Sequence, residues 1–275
     1  MTGDDAITGT EAMTDDGTDG PDDRDRVEVD SSGTETVLEA RDVVHAYGSI
    51  DVLDGVTLEI RDGTVTALLG PNGSGKTTLL RAMAGLLRPT GGTVHYRGPD
   101  VSRPVGYLPQ RPSFRPGFTV RETLEFYASL VGADAEVAME RLERVGLEAA
   151  ADHRVEALSG GMTRLLGIAQ ATIGDPPVVV LDEPASGLDP GMRVHVFDVI
   201  GDLAASGTGV LVSSHDLSLV ERSGDRVVLL DDGRLVFDDE PSAILANLAV
   251  DSLLDAYESS VTGERGTVRV RGDSA

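Results

Sequence analysis

An apolar run at residues 64–70, TVTALLG, leads without a break into GPNGSGKTT at 70–78, and residues 76–87 then show helical spacing. Strand, glycine loop and helix in that order form a phosphate cradle. The glycines let main-chain N–H groups approach, the helix turns its positive end inward, a lysine reaches the outer phosphates, and a hydroxyl can join magnesium. The candidate phosphate-binding residues are therefore Gly70, Pro71, Asn72, Gly73, Ser74, Gly75, Lys76, Thr77 and Thr78. Lys76 is the sole lysine beside 22 arginines. A compact ammonium fits between phosphates where a planar guanidinium does not, which accounts for a lysine kept at this one place.

The flanking chain is consistent with an α/β architecture. Residues 37–48, VLEARDVVHAYG, and 56–63, VTLEIRDG, alternate apolar and polar positions and end in turn signals, as antiparallel strands do. Short strands follow at TVHYRG, 93–98, and VGYLP, 105–109. Residues 118–151 are helical in character, and Leu124, Tyr127, Leu130, Val137, Leu142 and Val145 are expected on apolar faces. A helix after 158–162 runs to about Ile173, Val178 to Leu181 reads as a buried parallel strand, and a helix spans about 190–205. GVLVSSH, SLVERSG, RVVLLDDG and RLVFDD continue the alternation, a last helix lies near 241–257, and the tail from Ser259 is expected to be loose.

Residues 1–36 hold 12 acidic groups against Arg24 and Arg26 and few apolar side chains, which predicts a disordered leader. The whole chain carries a net charge of −24 and no cysteine, so disulfides and thiolate metal sites are excluded. An acidic surface with arginine in place of lysine suits molar intracellular salt, as in halophilic archaea; the alternative is an ordinary acidic protein. Either way, the charge argues against a nucleic-acid partner. No apolar run reaches the roughly 18 residues of a membrane span and no signal-peptide pattern opens the chain, so a cytoplasmic protein is expected.

The second chemical element is VVVLDEP, 178–184. Ends of buried parallel strands line the ligand crevice, so Asp182 can hold magnesium while Glu183 polarises the water that attacks a terminal phosphate. Taken with LSGGM at 158–162, the chain resembles the ATP-binding-cassette (ABC) ATPases over about residues 37–239. The resemblance implies a P-loop NTPase core with a mixed or parallel sheet, an N-terminal antiparallel β subdomain and an inserted helical subdomain at about 111–165. It places the cassette at 37–240 and leaves 241–275 as a C-terminal helix and tail.

The resemblance also assigns roles by residue. Tyr47 falls where an aromatic stacks on adenine, although it could instead pack at a strand end. Gln110 matches the glutamine that senses magnesium and the attacking water. Ser159, Gly160 and Gly161 form a second phosphate-binding helix end, Asp189 in SGLD organises a paired interface, and His215 contacts the terminal phosphate. Catalysis would then rest on Glu183, His215, Gln110 and Lys76, with Thr77, Gln110 and Asp182 on the metal and ATP and Mg2+ as cofactors. Two residues depart from the pattern: Met162 replaces the usual glutamine, and Leu165 stands where many members carry arginine, which puts interface polarity in doubt.

One phosphate loop and one signature in a single chain imply a head-to-tail pair, a homodimer or a paralogue, each signature closing over the other's ATP. The resemblance further implies a transporter ATPase, peripheral on the inner face of the membrane through separate permease subunits. Residues 111–120, RPSFRPGFTV, are expected to expose Phe114 and Phe118 toward that permease, although both could simply anchor the helical lobe. Residues 107–132 look exporter-like, and 161–190 are weakly similar to cassettes of copper-enzyme maturation. A soluble relative acting on DNA or ribosomes is the alternative; those tend to carry long inserts or basic arms, whereas 49 positions separate Gln110 from Ser159 here.

Overall fold

The computed structural model describes residues 34–261. The first two strands, β1 (Thr36–Tyr47) and β2 (Ile50–Arg61), form an antiparallel hairpin, and Gly48 takes the positive φ of 62° that the tight turn requires. β3 (Val65–Leu69) enters the glycine loop, which opens into α1 (Lys76–Met83). β4 (Gly91–Tyr96) returns to the hairpin, giving a three-stranded antiparallel sheet ordered β2-β1-β4.

β5 (Val105–Leu108) begins the region that carries the helices α2 (Val120–Leu130) and α3 (Glu136–Arg144). A capping box starts α2: the Thr119 hydroxyl accepts from the Glu122 N–H while the Glu122 carboxylate accepts from the Thr119 N–H. The remaining elements are α4 (Gly160–Ala171), β6 (Val178–Leu181), α5 (Pro190–Ala205), β7 (Gly209–Ser213), α6 (Leu217–Ser223), β8 (Arg226–Asp231), β9 (Arg234–Asp239), α7 (Pro241–Leu248) and α8 (Leu253–Val261). The expected α/β fold, with an antiparallel β subdomain beside the main sheet, is the one observed.

The main sheet has the order β5-β6-β7-β3-β8-β9, parallel throughout except for β9. Its central strands β6, β7 and β3 are buried on both faces, and the pleat sends alternate residues to opposite cores. Ala67, Leu69, Val179, Leu181, Val210 and Val212 join α2 to α5 on one side, whereas Leu68, Val178, Val180 and Leu211 meet α1 and the antiparallel sheet on the other.

Several expectations are corrected. Leu130 is 65% exposed. Leu124 and Leu130 are six residues apart, so their side chains leave the helix about 120° from one another, and only Leu124 is buried. The helix expected at 241–257 is two helices, broken where Ala249 turns left-handed at φ 54°. α8 reaches Val261, past the expected start of the tail, because Leu253, Ala256, Tyr257 and Val261 share one face against the core. Thr36, placed in the leader, is buried and begins β1; residues 1–33 and 262–275 lie outside the described residues.

Candidate functional site

In a parallel sheet all carboxyl ends lie along one edge. Here the register sets Leu108 opposite Leu181, Leu181 opposite Val212, and Leu68 opposite Ser213. Four strand exits therefore stand side by side: Gln110 after β5, Asp182 and Glu183 after β6, His215 after β7, and the glycine loop after β3. They meet in a cleft of about 350 Å³ lined by Tyr47, Asn72, Gly73, Gly75, Lys76, Thr77, Thr78, Gln110, Asp182, Glu183 and His215.

The loop is held from behind. Gly70 sits at φ 150°, where an added Cβ would lie 2.1 Å from the Leu230 carbonyl oxygen, so no larger residue fits. In the β8–β9 turn the Gly233 N–H donates to the Ser74 carbonyl at 3.1 Å, and the Gly233 carbonyl accepts from the Asp54 N–H at 2.9 Å. α1 has Gly75 as its N-cap, with no side-chain cap and no acidic residue in its first turn, leaving its positive end open to an anion. Lys76 Nζ donates to the carbonyls of Gly70 at 2.7 Å and Pro71 at 3.1 Å, which holds it over the loop. Burial lowers the Lys76 pKa, and the charges of Glu183 and Asp182 oppose that shift. Ser74 Oγ is buried without a hydrogen-bond partner, and Gly70, Pro71 and Ser74 underlie the cleft rather than line it.

Opposite the loop, Asp182 and Glu183 are 1% and 5% exposed. Asp182 Oδ1 accepts from Ser213 Oγ at 3.0 Å, and Oδ2 is buried with no partner. The same Ser213 Oγ accepts from the Glu183 N–H at 2.9 Å. Glu183 has a left-handed backbone at φ 51°, which costs a non-glycine residue about 1–2 kcal/mol and persists only where neighbours enforce it. Burial raises the Glu183 pKa, with Lys76 pulling it back down and Asp182 pushing it further up. His215 Nε2 lies 2.9 Å from Glu183 Oε1, off the hydrogen-bond direction. Burial and the Lys76 charge lower the His215 pKa, so the ring is neutral at neutral pH.

Not every residue singled out in the sequence reaches this cleft. Ser159, Gly160, Gly161 and Asp189 do not line it. Ser159 caps α4, its hydroxyl accepting from the Met162 N–H at 3.2 Å, and Asp189 caps α5, accepting from the Met192 N–H at 3.0 Å. Gly161 lets the two caps meet, since a Cβ there would lie 2.7 Å from Met192 Cγ. Leu165 is 2% exposed and belongs to the core, so its side chain is not presented to a partner and the doubt about interface polarity does not arise from it. Phe114 and Phe118 are half-buried; Phe114 packs on the core, Phe118 meets the Phe126 ring edge-on at 6.4 Å, and Phe126 is the exposed member. Ser213 was missed: its signal is the first serine of SSH, but its role needs the β6–β7 register.

A protein-family model described as ABC transporter matches residues 53–186. The Nod factor export ATP-binding protein I of Paraburkholderia xenovorans is 37% identical over 224 residues, covering 78% of this chain and 74% of that protein. The chain belongs to the ABC transporter family. Another relative, an uncharacterized ABC transporter ATP-binding protein of Bacillus subtilis, is 38% identical over 205 residues, covering 72% of this chain and 69% of its own. Among solved structures, an ATP-binding subunit of an ABC transporter superposes with TM-score 0.73 at 29% identity, covering 82% of this chain and 99% of the other. A dimeric ATP-binding cassette in a post-hydrolysis state with ADP and Pi gives 0.66 at 27%, covering 74% and 98%. The ABC chain described here is an ATP-binding and ATP-hydrolysing subunit of this family.

Proposed function

We propose that this ABC subunit hydrolyses ATP in the cleft between Lys76 and Glu183 and drives export through a separate membrane permease. The observation that carries the reading is the convergence of the glycine loop, Gln110, the Asp182–Glu183 pair and His215 on one cleft. The loop amides, Lys76 and the α1 end hold the phosphates, and Tyr47 at the cleft rim stacks on the base. Glu183, which burial brings nearer to neutrality, takes the proton of the attacking water. Neutral His215 donates toward the terminal phosphate, and Gln110 orients the water.

The residues present suit magnesium. Asp182 Oδ2 is a buried carboxylate oxygen with no partner, and the Thr77 hydroxyl and Gln110 lie in the same cleft. Asp182, Thr77 and Gln110 would hold the ion, whose charge offsets that of the transferred phosphoryl group.

Ser159, Gly160 and Gly161 lie outside their own chain's cleft, in keeping with two copies, or this chain and a paralogue, pairing so that each signature closes the other's site; Asp189 shapes that interface. The permease contact is assigned to residues 111–120 together with exposed Phe126. No helix among the described residues is long and apolar enough to cross a membrane. In this reading the chain sits on the inner face through its permease. Relatives named for Nod factor export support the outward direction. The net charge of −24 supports a protein that works in high salt.

The test is Glu183→Gln. ATP should bind, turnover should fall by at least 100-fold, and a dimer should accumulate on size exclusion with ATP. Wild-type turnover would refute the assignment of the base.

A further inference from the structure

α4 is fastened to the strand that precedes Gln110 at both of that strand's ends. Ahead of β5, Arg103 Nη1 donates to the carbonyls of Gln170 at 3.2 Å and Ile173 at 2.8 Å, the last turn of α4 and the residues after it. Beyond β5, Arg164 Nη1 donates to the main-chain carbonyl of Gln110. Between these clamps, Gly167 brings the helix so close that a Cβ would lie 2.4 Å from Leu108 Cδ1 and 3.4 Å from Pro112 Cβ. Leu108 and Pro112 are the residues two before and two after Gln110. The Gln110 turn therefore has α4 against both flanks and a guanidinium on its carbonyl, while Gln110 itself lines the cleft.

The sequence makes position 164 the one that can do this. Leu165 is in the core, whereas Arg164 is half-buried and sits where the charges of Asp182, Glu183 and Arg111 all reach its guanidinium. We propose that Arg164 is a positioning residue: it fixes the main chain at Gln110, and thereby aims the Gln110 side chain at the reacting end of ATP. Because α4 starts at Gly160, the same contact ties Gln110 to the helix that carries the signature end of its own chain. The proposal rests on the role given to Gln110 above.

The experiment compares Arg164→Met, Arg164→Lys, Gln110→Ala and the double variant Arg164→Met/Gln110→Ala in the full chain. Arg164→Met keeps the aliphatic stem and removes the donor. Expected are a roughly tenfold fall in kcat, a KM for ATP within about twofold, and at least half of the loss restored by Arg164→Lys. Thermal midpoint and binding of a fluorescent ATP analogue in EDTA should stay at wild-type values, which a general packing defect would not allow. The double variant should turn over no more slowly than Gln110→Ala alone, since Arg164 acts through that residue. If Gln110→Ala is impaired and the two losses multiply, the positioning role is wrong and the Gln110 reading survives. If Gln110→Ala hydrolyses ATP at the wild-type rate, the Gln110 reading fails and the positioning role falls with it.

Discussion

Replacing Ser213 with alanine removes one oxygen that serves both carboxylate residues. Ser213 is 0% exposed, donates to Asp182 Oδ1 at 3.0 Å and accepts from the Glu183 N–H at 2.9 Å. A hydrogen bond to a charged group contributes about 1.5–3 kcal/mol, and a buried N–H left unmade costs about 1–3 kcal/mol. Both groups sit at one site and relax together, so the expected loss is about 3 kcal/mol rather than the sum of the upper values. For a domain of 150–250 residues each kcal/mol moves the melting point by about 2–4 °C, so Ser213→Ala should melt about 6–12 °C lower. The left-handed Glu183 backbone also loses its anchor, so kcat should fall further than the fraction unfolded explains. Differential scanning fluorimetry and steady-state phosphate release at 20 °C read the two effects. Ser213→Cys, a near-isostere with a weak donor, should fall between the variant and the wild type. Melting within 2 °C of wild type with unchanged kcat would show that the shared oxygen holds neither the Asp182 carboxylate nor the Glu183 main chain.

Since burial raises the Glu183 pKa, its carboxylate is lost on acidification at a higher pH than an ordinary glutamate's, and a kcat profile from pH 5 to 9 should show that limb. His215, whose pKa burial and the Lys76 charge lower, is the other site group that takes up a proton on acidification, so a limb that persists in His215→Gln belongs to Glu183; a limb within the ordinary glutamate range contradicts this. Gly106→Ala puts a Cβ 2.0 Å from the Ala171 carbonyl oxygen, a backbone clash expected to cost about 3 kcal/mol or more, readable as lost soluble yield and a lower melting point. Tyr47→Ala should raise the KM for ATP several-fold with kcat retained, and Tyr47→Phe should match wild type. Raising KCl from 0.1 to 2 M should raise the melting point and the ATPase rate; a decline in both would argue for an ordinary acidic protein.

Local signals carried the sequence reading a long way. The strand entering the glycine loop, the alternation of β1 and β2, and the four-residue apolar run of β6 each announce themselves through side-chain period and length. Spatial neighbours are what the chain conceals. The break at Ala249 lies within AVDS, which has neither glycine nor proline to mark it; the second helix starts where Ser252 Oγ accepts from the Asp255 N–H at 3.2 Å and Leu253 and Ala256 enter the core. Leu130 was drawn to the apolar face by three-residue steps that drift around the helix. Ser213 and Arg164 look ordinary in sequence because their partners, Asp182 and Gln110, are 31 and 54 positions away. Each becomes legible only once strand register and the seating of α4 are known.

The main-chain bridges at Gly233 bear on how nucleotide enters. With Ser74 held by the β8–β9 turn and that turn held by Asp54, the glycine loop has completed its conformational search before any ligand arrives. Little backbone entropy then remains to be surrendered on association. Capture of ATP should follow a single exponential whose rate rises linearly with nucleotide concentration, without the plateau of a loop that must first fold. The slow motions of the catalytic cycle would then belong to the approach and parting of whole subunits.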